Sequence, residues 1–182
     1  MTEQRVSLRY ARAVFDTAKK TGFVDTVYND FNIISSYFKV SRDLIVFLKS
    51  PVIQGWKKKQ LLKELFSGKI NELTFNFIIL VTEKQRENFL PDIIAVYERL
   101  YFKEKNIVKA EITTSRELDE NMKLKIKNEL ESKLIKTIIP SFKIDADLKG
   151  GITIRVDDWV YDASVRNQLI QLRNTLIEGK LV

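Results

Sequence analysis

The sequence predicts an α+β fold, with a six-helix bundle over residues 1–106 and a small mixed α/β domain over residues 107–182 that contains a β-hairpin and a C-terminal helix. Apolar residues recur at three- and four-residue spacing as far as Asn106, which is the pattern of one helix face. From Val108 onward they alternate with polar residues, as in a half-buried strand. Further along, two alternating segments flank Gly150-Gly151 and lead into a second stretch of helical spacing.

Caps and chain-breaking residues divide the N-terminal domain into its six predicted helices. Ser and Asn side chains accept the free N–H groups at a helix start, and a glycine with positive φ ends a helix well. A residue before proline avoids the helical region, whereas proline is tolerated in a first turn. The first helix ends at Gly22, and the second carries the apolar stripe Val24, Val27, Phe31, Ile34 and Phe38. The third begins at Ser41 and ends at Ser50-Pro51, and the fourth runs from Trp56 to Phe66. The fifth begins at Asn71 and the sixth at Pro91.

The fifth helix is apolar on almost every side over its first turns. It carries Leu73, Phe75 and the run from Phe77 to Val81, so it must be covered all round. It is either the central helix of the bundle or a helix with one apolar side that a partner's helix covers. The first helix has a similar excess, with Tyr10, Ala13 and Val14 beside its main stripe of Leu8, Ala11, Phe15 and Ala18.

The C-terminal domain begins with a strand and a charged helix. Val108, Ala110, Ile112 and Thr114 share one face of the predicted strand. The helix runs from Asp119 to about Lys136, and its inward residues are predicted to be Met122, Ile126, Leu130 and Leu134. Its surface charges alternate in sign, which favours a solvated face over a binding patch.

The segments on either side of Gly150-Gly151 predict a β-hairpin. Phe142, Ile144, Ala146 and Leu148 alternate before the glycines, and Ile152, Ile154 and Val156 alternate after them. A glycine pair supplies the positive φ that a tight hairpin turn needs. A short strand, Trp159 to Tyr161, follows. Asp162 or Ser164 then caps a final helix with the stripe Val165, Leu169, Leu172 and Leu176.

Composition argues against an enzyme. The chain has 182 residues and a net charge of +7, and it contains neither histidine nor cysteine. It therefore lacks the commonest general base, the commonest metal ligands and any thiolate. No apolar run approaches the length of a membrane span, and the N-terminus lacks a signal core, so we expect a soluble protein of the cytoplasm or an equivalent compartment.

Two basic features have open interpretations. Lys57 to Lys59, with Lys63 one turn on, are either the solvated face of a helix or a contact for an acidic partner or an anionic lipid surface. Arg86 either pairs with Glu83 on its own surface or contacts a partner.

Neither a nucleotide site nor a metal site is predicted. Gly150-Gly151 lacks the phosphate-binding Gly-x-x-x-x-Gly-Lys-Ser/Thr pattern and joins two strands. The five carboxylates near the C-terminus are not enclosed by a loop with the spacing of calcium ligands: Asp145, Asp147, Asp157, Asp158 and Asp162. We therefore predict no catalytic residue, no cofactor and no metal.

Three motifs together give a family resemblance. From Lys143 the chain reads Lys-Ile-Asp-x-x-Leu-x-Gly-Gly-Ile-x-Ile-Arg-x-x-Asp-x-x-x-Asp-x-Ser-Val-Arg-x-x-Leu. This run resembles the C-terminal signature of the delta subunit of rotary ATP synthase, whose mitochondrial relative is the oligomycin-sensitivity-conferring protein. Arg9 to Phe15 resembles the opening of the same family, and so does Leu80-x-x-Glu83-x-x-Arg86-x-x-x-Leu90 in the middle of the chain.

The resemblance implies two partners and no catalysis. The N-terminal domain would bind the N-terminal helices of the alpha subunits of the catalytic head, and residues 107–182 would bind the C-terminal helices of the b subunits in the peripheral stalk. The implied interface residues are Tyr10, Ala11, Val14 and Ala18 on the first helix, and Phe77, Ile78 and Val81 on the fifth. The signature residues Gly150, Gly151, Asp162, Ser164 and Val165 are expected to build the fold.

The function implied is a connector that resists rotor torque, so that proton flow is coupled to ATP synthesis. Its membrane association would be indirect, through the complex, at the cytoplasmic face of a bacterial inner membrane. The alternatives are a basic RNA-binding or regulatory module and, more weakly, a hydrolase that uses Asp157 or Asp158. A nucleic-acid module requires an extended basic stripe with exposed aromatic residues, which the sequence lacks.

Overall fold

A computed structural model describes residues 3–177 of the chain. It is mostly helical with a small mixed sheet, which is the α+β class. The chain divides into two compact units, Met1–Phe102 and Lys103–Val182. The division falls slightly before the predicted boundary at residue 106, in the last turn of a helix that ends at Glu104.

The predicted helices of the first unit are all present in the described part of the chain. A short 3-10 turn, Glu87–Phe89, was not predicted from the sequence. The α-helices are α1 (Glu3–Thr21), α2 (Val24–Val40), α3 (Arg42–Lys49), α4 (Gly55–Phe66), α5 (Glu72–Glu83) and α6 (Leu90–Glu104).

Local capping explains where these helices begin and end. The hydroxyl of Ser41 accepts a hydrogen bond from Leu44 N at 3.3 Å, and Asn71 Oδ1 accepts one from Leu73 N at 2.9 Å. Gly22, immediately after α1, has a φ of +76°. These three predicted signals are confirmed, because each one acts through its own neighbouring residues.

An aromatic cluster joins three helices in the core of the first unit. Tyr97 of α6 is fully buried. Its ring centroid lies 4.9 Å from that of Phe31 on α2 and 5.4 Å from that of Phe15 on α1, and both ring pairs pack edge to face. Its hydroxyl donates to the carbonyl of Val24 at 3.1 Å, and burial raises the pKa of Tyr97. The ring is therefore held both by packing and by a satisfied polar group.

A buried carboxylate connects α2 to the start of α5. Asp30 Oδ2 accepts from the backbone N–H of Asn71 at 3.0 Å and from the hydroxyl of Thr74 at 2.6 Å. Both donors belong to the N-terminal end of α5, where free N–H groups need acceptors. Asp30 therefore fixes α5 against α2 in addition to the apolar contacts.

The second unit is a four-stranded sheet with two helices. The strand order is β2-β1-β3-β4, with β1 parallel to β2 and the other pairs antiparallel. Val108, Ala110 and Ile112 of β1 are buried with Ile138 and Ile154 of the neighbouring strands. The elements are β1 (Ile107–Thr114), α7 (Glu120–Leu134), β2 (Thr137–Ile144), β3 (Ile152–Val156), β4 (Trp159–Asp162) and α8 (Val165–Ile177), with a 3-10 turn at Ala146–Leu148.

The predicted hairpin across Gly150-Gly151 is wrong. The segments on either side of the glycines are not partners, because β1 lies between β2 and β3. The alternation breaks after Ile144, where the Asp145 side chain accepts from Asp147 N at 2.9 Å and begins the 3-10 turn. The hairpin of this unit is instead β3–β4, closed at Asp157-Asp158, with Asp157 at a φ of +50°.

Helix α7 covers the sheet less completely than predicted. Leu130 is buried, and Ile126 and Leu134 are half-buried against the sheet. Met122, which was also predicted to point inward, is exposed, so this part of the prediction is wrong. The N-cap is Asp119, whose carboxylate accepts from Met122 N at 2.6 Å.

Candidate protein-binding surfaces

Three of the four candidate interface residues on α1 lie in the core of the first unit. Ala11, Val14 and Ala18 are buried together with Phe15. Their three- and four-residue spacing puts them on one face, and that face packs against the unit's own helices. This is a correction to their expected exposure, whereas Tyr10 is half-buried at the edge of the core.

Helix α5 is mainly a core helix with a narrow exposed strip. Ile78 and Val81, two of its three candidates, are buried, which corrects their expected exposure as well. Phe77 is half-buried, and its ring centroid lies 6.1 Å from that of Phe31. Leu73 and Leu80 share its face, and Leu80 is 47% exposed. Leu73, Phe77 and Leu80 therefore form an apolar strip on α5 that another polypeptide can reach.

The outer face of α1 is basic with an apolar edge. A shallow groove of about 440 Å³ runs along it, lined by Arg5, Leu8, Arg9, Arg12, Ala13 and Asp16. Leu8 was predicted to lie on the inward stripe but is exposed. This face therefore combines cationic groups with uncovered apolar surface.

The interpretation of Lys57 to Lys59 as a solvated face is wrong for Lys58, the middle residue of the three. Lys58 is only 4% exposed, and its Nζ lies 2.7 Å from both Glu87 Oε1 and the carbonyl of Leu48. The ammonium group therefore joins α4 to the end of α3 and to the 3-10 turn before α6. It holds the fold and is not available to a partner.

The basic groups on either side of Lys58 also have local contacts. Lys59 forms an ion pair with Glu83, and this hydrogen bond lowers the pKa of the Glu83 carboxyl. The Lys57 ammonium lies 5.4 Å from the centre of the Trp56 ring. The guanidinium group of Arg86 lies 6.0 Å from the centre of the Phe89 ring, and the carboxylate of Glu83 is paired with Lys59.

The signature residues of the second unit form one close-packed junction. A Cβ built on Gly151 would lie 2.2 Å from the carbonyl oxygen of Ala163, and the φ of Gly151 is +77°. The chain at the start of α8 therefore fits only against a residue without a side chain. Val165 N donates to the carbonyl of Gly150 at 3.0 Å, which fixes the first residue of α8 on this loop.

Asp162 and Ser164 divide the capping of α8 between them. Ser164 Oγ accepts from Asn167 N at 3.1 Å, and Asp162 Oδ1 accepts from Ser164 N at 2.9 Å. Hydrogen bonds from Ser164, first from its hydroxyl and then from its backbone N–H, lower the pKa of Asp162. The five signature positions thus contact one another where β3, β4 and α8 meet.

Helix α8 leaves its apolar stripe uncovered. None of its side chains is buried, and Leu169, Leu172 and Leu176 are 50%, 57% and 56% exposed. On β4, which leads into α8, Trp159 and Tyr161 are half-exposed and stack at 5.9 Å. The sequence predicted the stripe but did not indicate that none of the unit's residues up to Ile177 would cover it.

The described residues show no arrangement suited to holding a metal. No group of three or more Asp or Glu side chains converges in residues 3–177. Asp145 and Asp162 accept backbone hydrogen bonds, and Asp157 and Asp158 are exposed in the β3–β4 turn. None of the helices in the described range is long and apolar enough to cross a membrane.

Fold and surfaces together define a two-unit α+β protein with uncovered apolar helix faces. The family model described as ATP synthase delta (OSCP) subunit matches residues 6–176. The ATP synthase subunit delta of Chloroherpeton thalassium is 34% identical over 176 residues, covering 97% of this chain and 96% of that protein. That of Cytophaga hutchinsonii is 34% identical over 178 residues, covering 98% of this chain and 97% of its own. The chain therefore belongs to the ATP synthase delta (OSCP) subunit family.

A solved structure shares the fold. A chain of the cryo-EM structure of the Toxoplasma gondii mitochondrial ATP synthase hexamer aligns with a TM-score of 0.71 and 24% identity. The alignment covers 94% of this chain and 97% of that chain, so both units are included.

Proposed function

We propose that this protein is a noncatalytic connector in the peripheral stalk of a rotary proton-transporting ATP synthase. The observation that carries the proposal is the family match, which runs from residue 6 to residue 176 through both units. A connector needs two binding surfaces and stiffness, and it needs no reactive side chain. The absence of histidine and cysteine from the sequence fits that requirement.

In this proposal the first unit acts as a six-helix bundle that binds N-terminal helices of the alpha subunits on the catalytic head. The accessible candidates are Tyr10 on α1 and Phe77 on α5, together with the exposed Leu80. Ala11, Val14, Ala18, Ile78 and Val81 would support this surface from beneath, because they fix the helices that carry it.

The second unit would bind the C-terminal helices of the b subunits. Its uncovered α8 stripe and half-exposed β4 aromatics supply apolar surface for such a contact. With both contacts made, the protein would resist rotor torque at the cytoplasmic face of the bacterial inner membrane. Its membrane association would then be indirect, through the complex.

The lysine cluster of α4 gives little support to the RNA-binding alternative. Lys58 is buried in an ion pair and Lys59 is paired with Glu83, so Lys57 to Lys59 do not form a continuous cationic surface. Nucleic-acid binding would require such a surface and would weaken steeply with salt.

The proposal is tested by titrating the full chain with a synthetic peptide that corresponds to the N-terminus of an ATP synthase alpha subunit from the same organism. We expect binding by the wild type and a loss of about tenfold or more in affinity for Leu80→Asp, because a charge would replace exposed apolar contact surface. Leu80 is preferable to Phe77 for this test, since Phe77 also packs against Phe31.

The matched control is Asn32→Asp, which adds the same charge at an exposed position on α2 and should leave the affinity unchanged. Circular dichroism confirms that each variant is folded. Absence of peptide binding by the folded wild type would contradict the proposed contact with the head.

A further inference from the structure

Helix α8 is held firmly at one end and uncovered along its length. Its start is fixed by the bond from Val165 N to the carbonyl of Gly150 and by the Ser164 cap, and it contacts the 3-10 turn Ala146–Leu148. None of the residues of α8 is buried, and none belongs to the core of the second unit. A helix that is ordered but not covered presents its apolar stripe in a preorganised form.

The stripe has the spacing of a coiled-coil seam. Val165, Leu169, Leu172 and Leu176 are separated by four, three and four residues, which are the successive d, a, d and a positions of a heptad. This average of 3.5 residues is the period at which two helices pack side by side along a continuous seam. The natural occupant of such a surface is another helix.

One flank of the seam is basic and the other is uncharged. Arg166 and Arg173 each follow a d position, so both occupy e positions beside the seam. Between Val165 and Ile177 there is no Asp or Glu, and the g positions are Gln168 and Thr175. Charges at e and g select the partner of a coiled-coil helix, so the preferred partner carries carboxylates there.

A second copy of the chain does not meet this requirement. In an antiparallel pair, the e positions of two α8 helices would bring arginine opposite arginine. In a parallel pair, the arginines would face the uncharged Gln168 and Thr175, which offer no ionic attraction.

We propose that α8 pairs with a helix from another protein whose apolar heptad seam is flanked by Asp or Glu. This inference rests on the proposed function in one respect, because the b-subunit helices would supply that seam in the assembled stalk. It specifies which element of the second unit forms the contact and the chemistry that selects the occupant.

The test uses the full chain and two synthetic peptides of about four heptads, both with Leu at a and d. One peptide has Glu at every e and g position and the other has Lys, so each repels itself and stays monomeric. We expect the Glu peptide to bind and the Lys peptide not to bind, by isothermal titration calorimetry at low salt. Added salt should weaken the binding of the Glu peptide.

Two sets of variants locate the contact. Leu172→Glu should weaken binding of the Glu peptide by about tenfold or more, because the residue lies in the seam. Asn174→Glu places the same charge on the opposite side of α8 and should stay within about twofold of the wild type. The double variant Arg166→Glu, Arg173→Glu should reverse the preference and bind the Lys peptide. All these positions are exposed, and circular dichroism verifies the fold.

Equal binding of the two peptides, or no effect of Leu172→Glu, would overturn the inference. A parallel titration with the C-terminal segment of an ATP synthase b subunit from the same organism separates the two proposals. If that segment binds with undiminished affinity to Leu172→Glu, the stalk contact stands and the α8 inference fails. If the Glu peptide behaves as expected but the b segment does not bind, the α8 chemistry stands and the proposed stalk contact fails.

Discussion

Lys58 is a buried cation whose position depends on two residues far away in the chain. Its ammonium group meets Glu87 and the carbonyl of Leu48, and both side chains of the ion pair are less than a tenth exposed. Removing one member of such a pair leaves the other charged group buried without compensation, which costs far more than an exposed pair contributes.

We predict that Lys58→Met lowers the free energy of unfolding by about 3–5 kcal/mol. The double variant Lys58→Met, Glu87→Leu should recover most of this loss, because it leaves no unpaired buried charge. Urea denaturation at neutral pH measures both. Lys63→Met, which removes the same charge from the exposed surface of α4, should change stability by no more than about 0.5 kcal/mol. Equal effects at positions 58 and 63 would show that the pair is not buried in solution.

At the scale of elements, the junction that starts α8 depends on the absence of a side chain at Gly151. Gly22, after α1, has almost the same φ, +76° against +77°, but a Cβ there would meet open space. Both glycines therefore need a positive φ, but only Gly151 is so closely packed that a side chain would clash.

We predict that Gly151→Ala is clearly more destabilising than Gly22→Ala. Gly22→Ala should cost about 1–2 kcal/mol, which is the penalty for a Cβ at positive φ. Gly151→Ala carries that penalty and also a steric conflict with the backbone of Ala163, so its α8 amides should exchange hydrogen faster as well. Thermal unfolding and hydrogen exchange give the comparison. A similar cost at both positions would mean that the junction opens at low cost.

The elements that the sequence predicted correctly are those set by local chemistry. Ser41, Asn71 and Gly22 act on their own neighbours, so the helix ends could be read from short windows. The order of the strands could not, because a glycine pair between two alternating segments does not reveal that β1 lies between them. Lys58 was misread for the same reason, since its partners are distant in sequence.

The candidate interface shows the same limit. The spacing identified the apolar positions of α1 and α5. It could not distinguish the positions that the first unit itself buries from those that stay exposed. Ala11 and Val81 became core for that reason, whereas Leu80 did not. Conversely, the stripe on α8 was predicted from its spacing, and its exposure is known only from the structure.

At the scale of the whole molecule, the chain has two separate cores. One is formed by α1–α6, and the other by the sheet with α7. The chain also contains two tryptophans, Trp56 in the first unit and Trp159 in the second. Each unit therefore has its own tryptophan as a fluorescent reporter.

We predict that the Trp159→Phe and Trp56→Phe variants report unfolding of the first and second units, respectively. Adding Lys58→Met to each should shift the urea midpoint reported by Trp56 much more than that reported by Trp159, because the ion pair lies in the first core. Identical shifts from both tryptophans would indicate that the units unfold as one cooperative body.

The edge strand β2 carries a proline at its centre. Pro140 stands opposite Ala110 of β1, and the exposed Ile139 and Ile144 lie on the same strand. An outer strand with apolar side chains is a template for pairing with the sheets of other molecules, which leads to aggregation. Proline has no N–H to donate, so it interrupts the row of donors on that edge. Pro140 would thus protect freshly synthesised chains from aggregating through β2 while they remain unassembled.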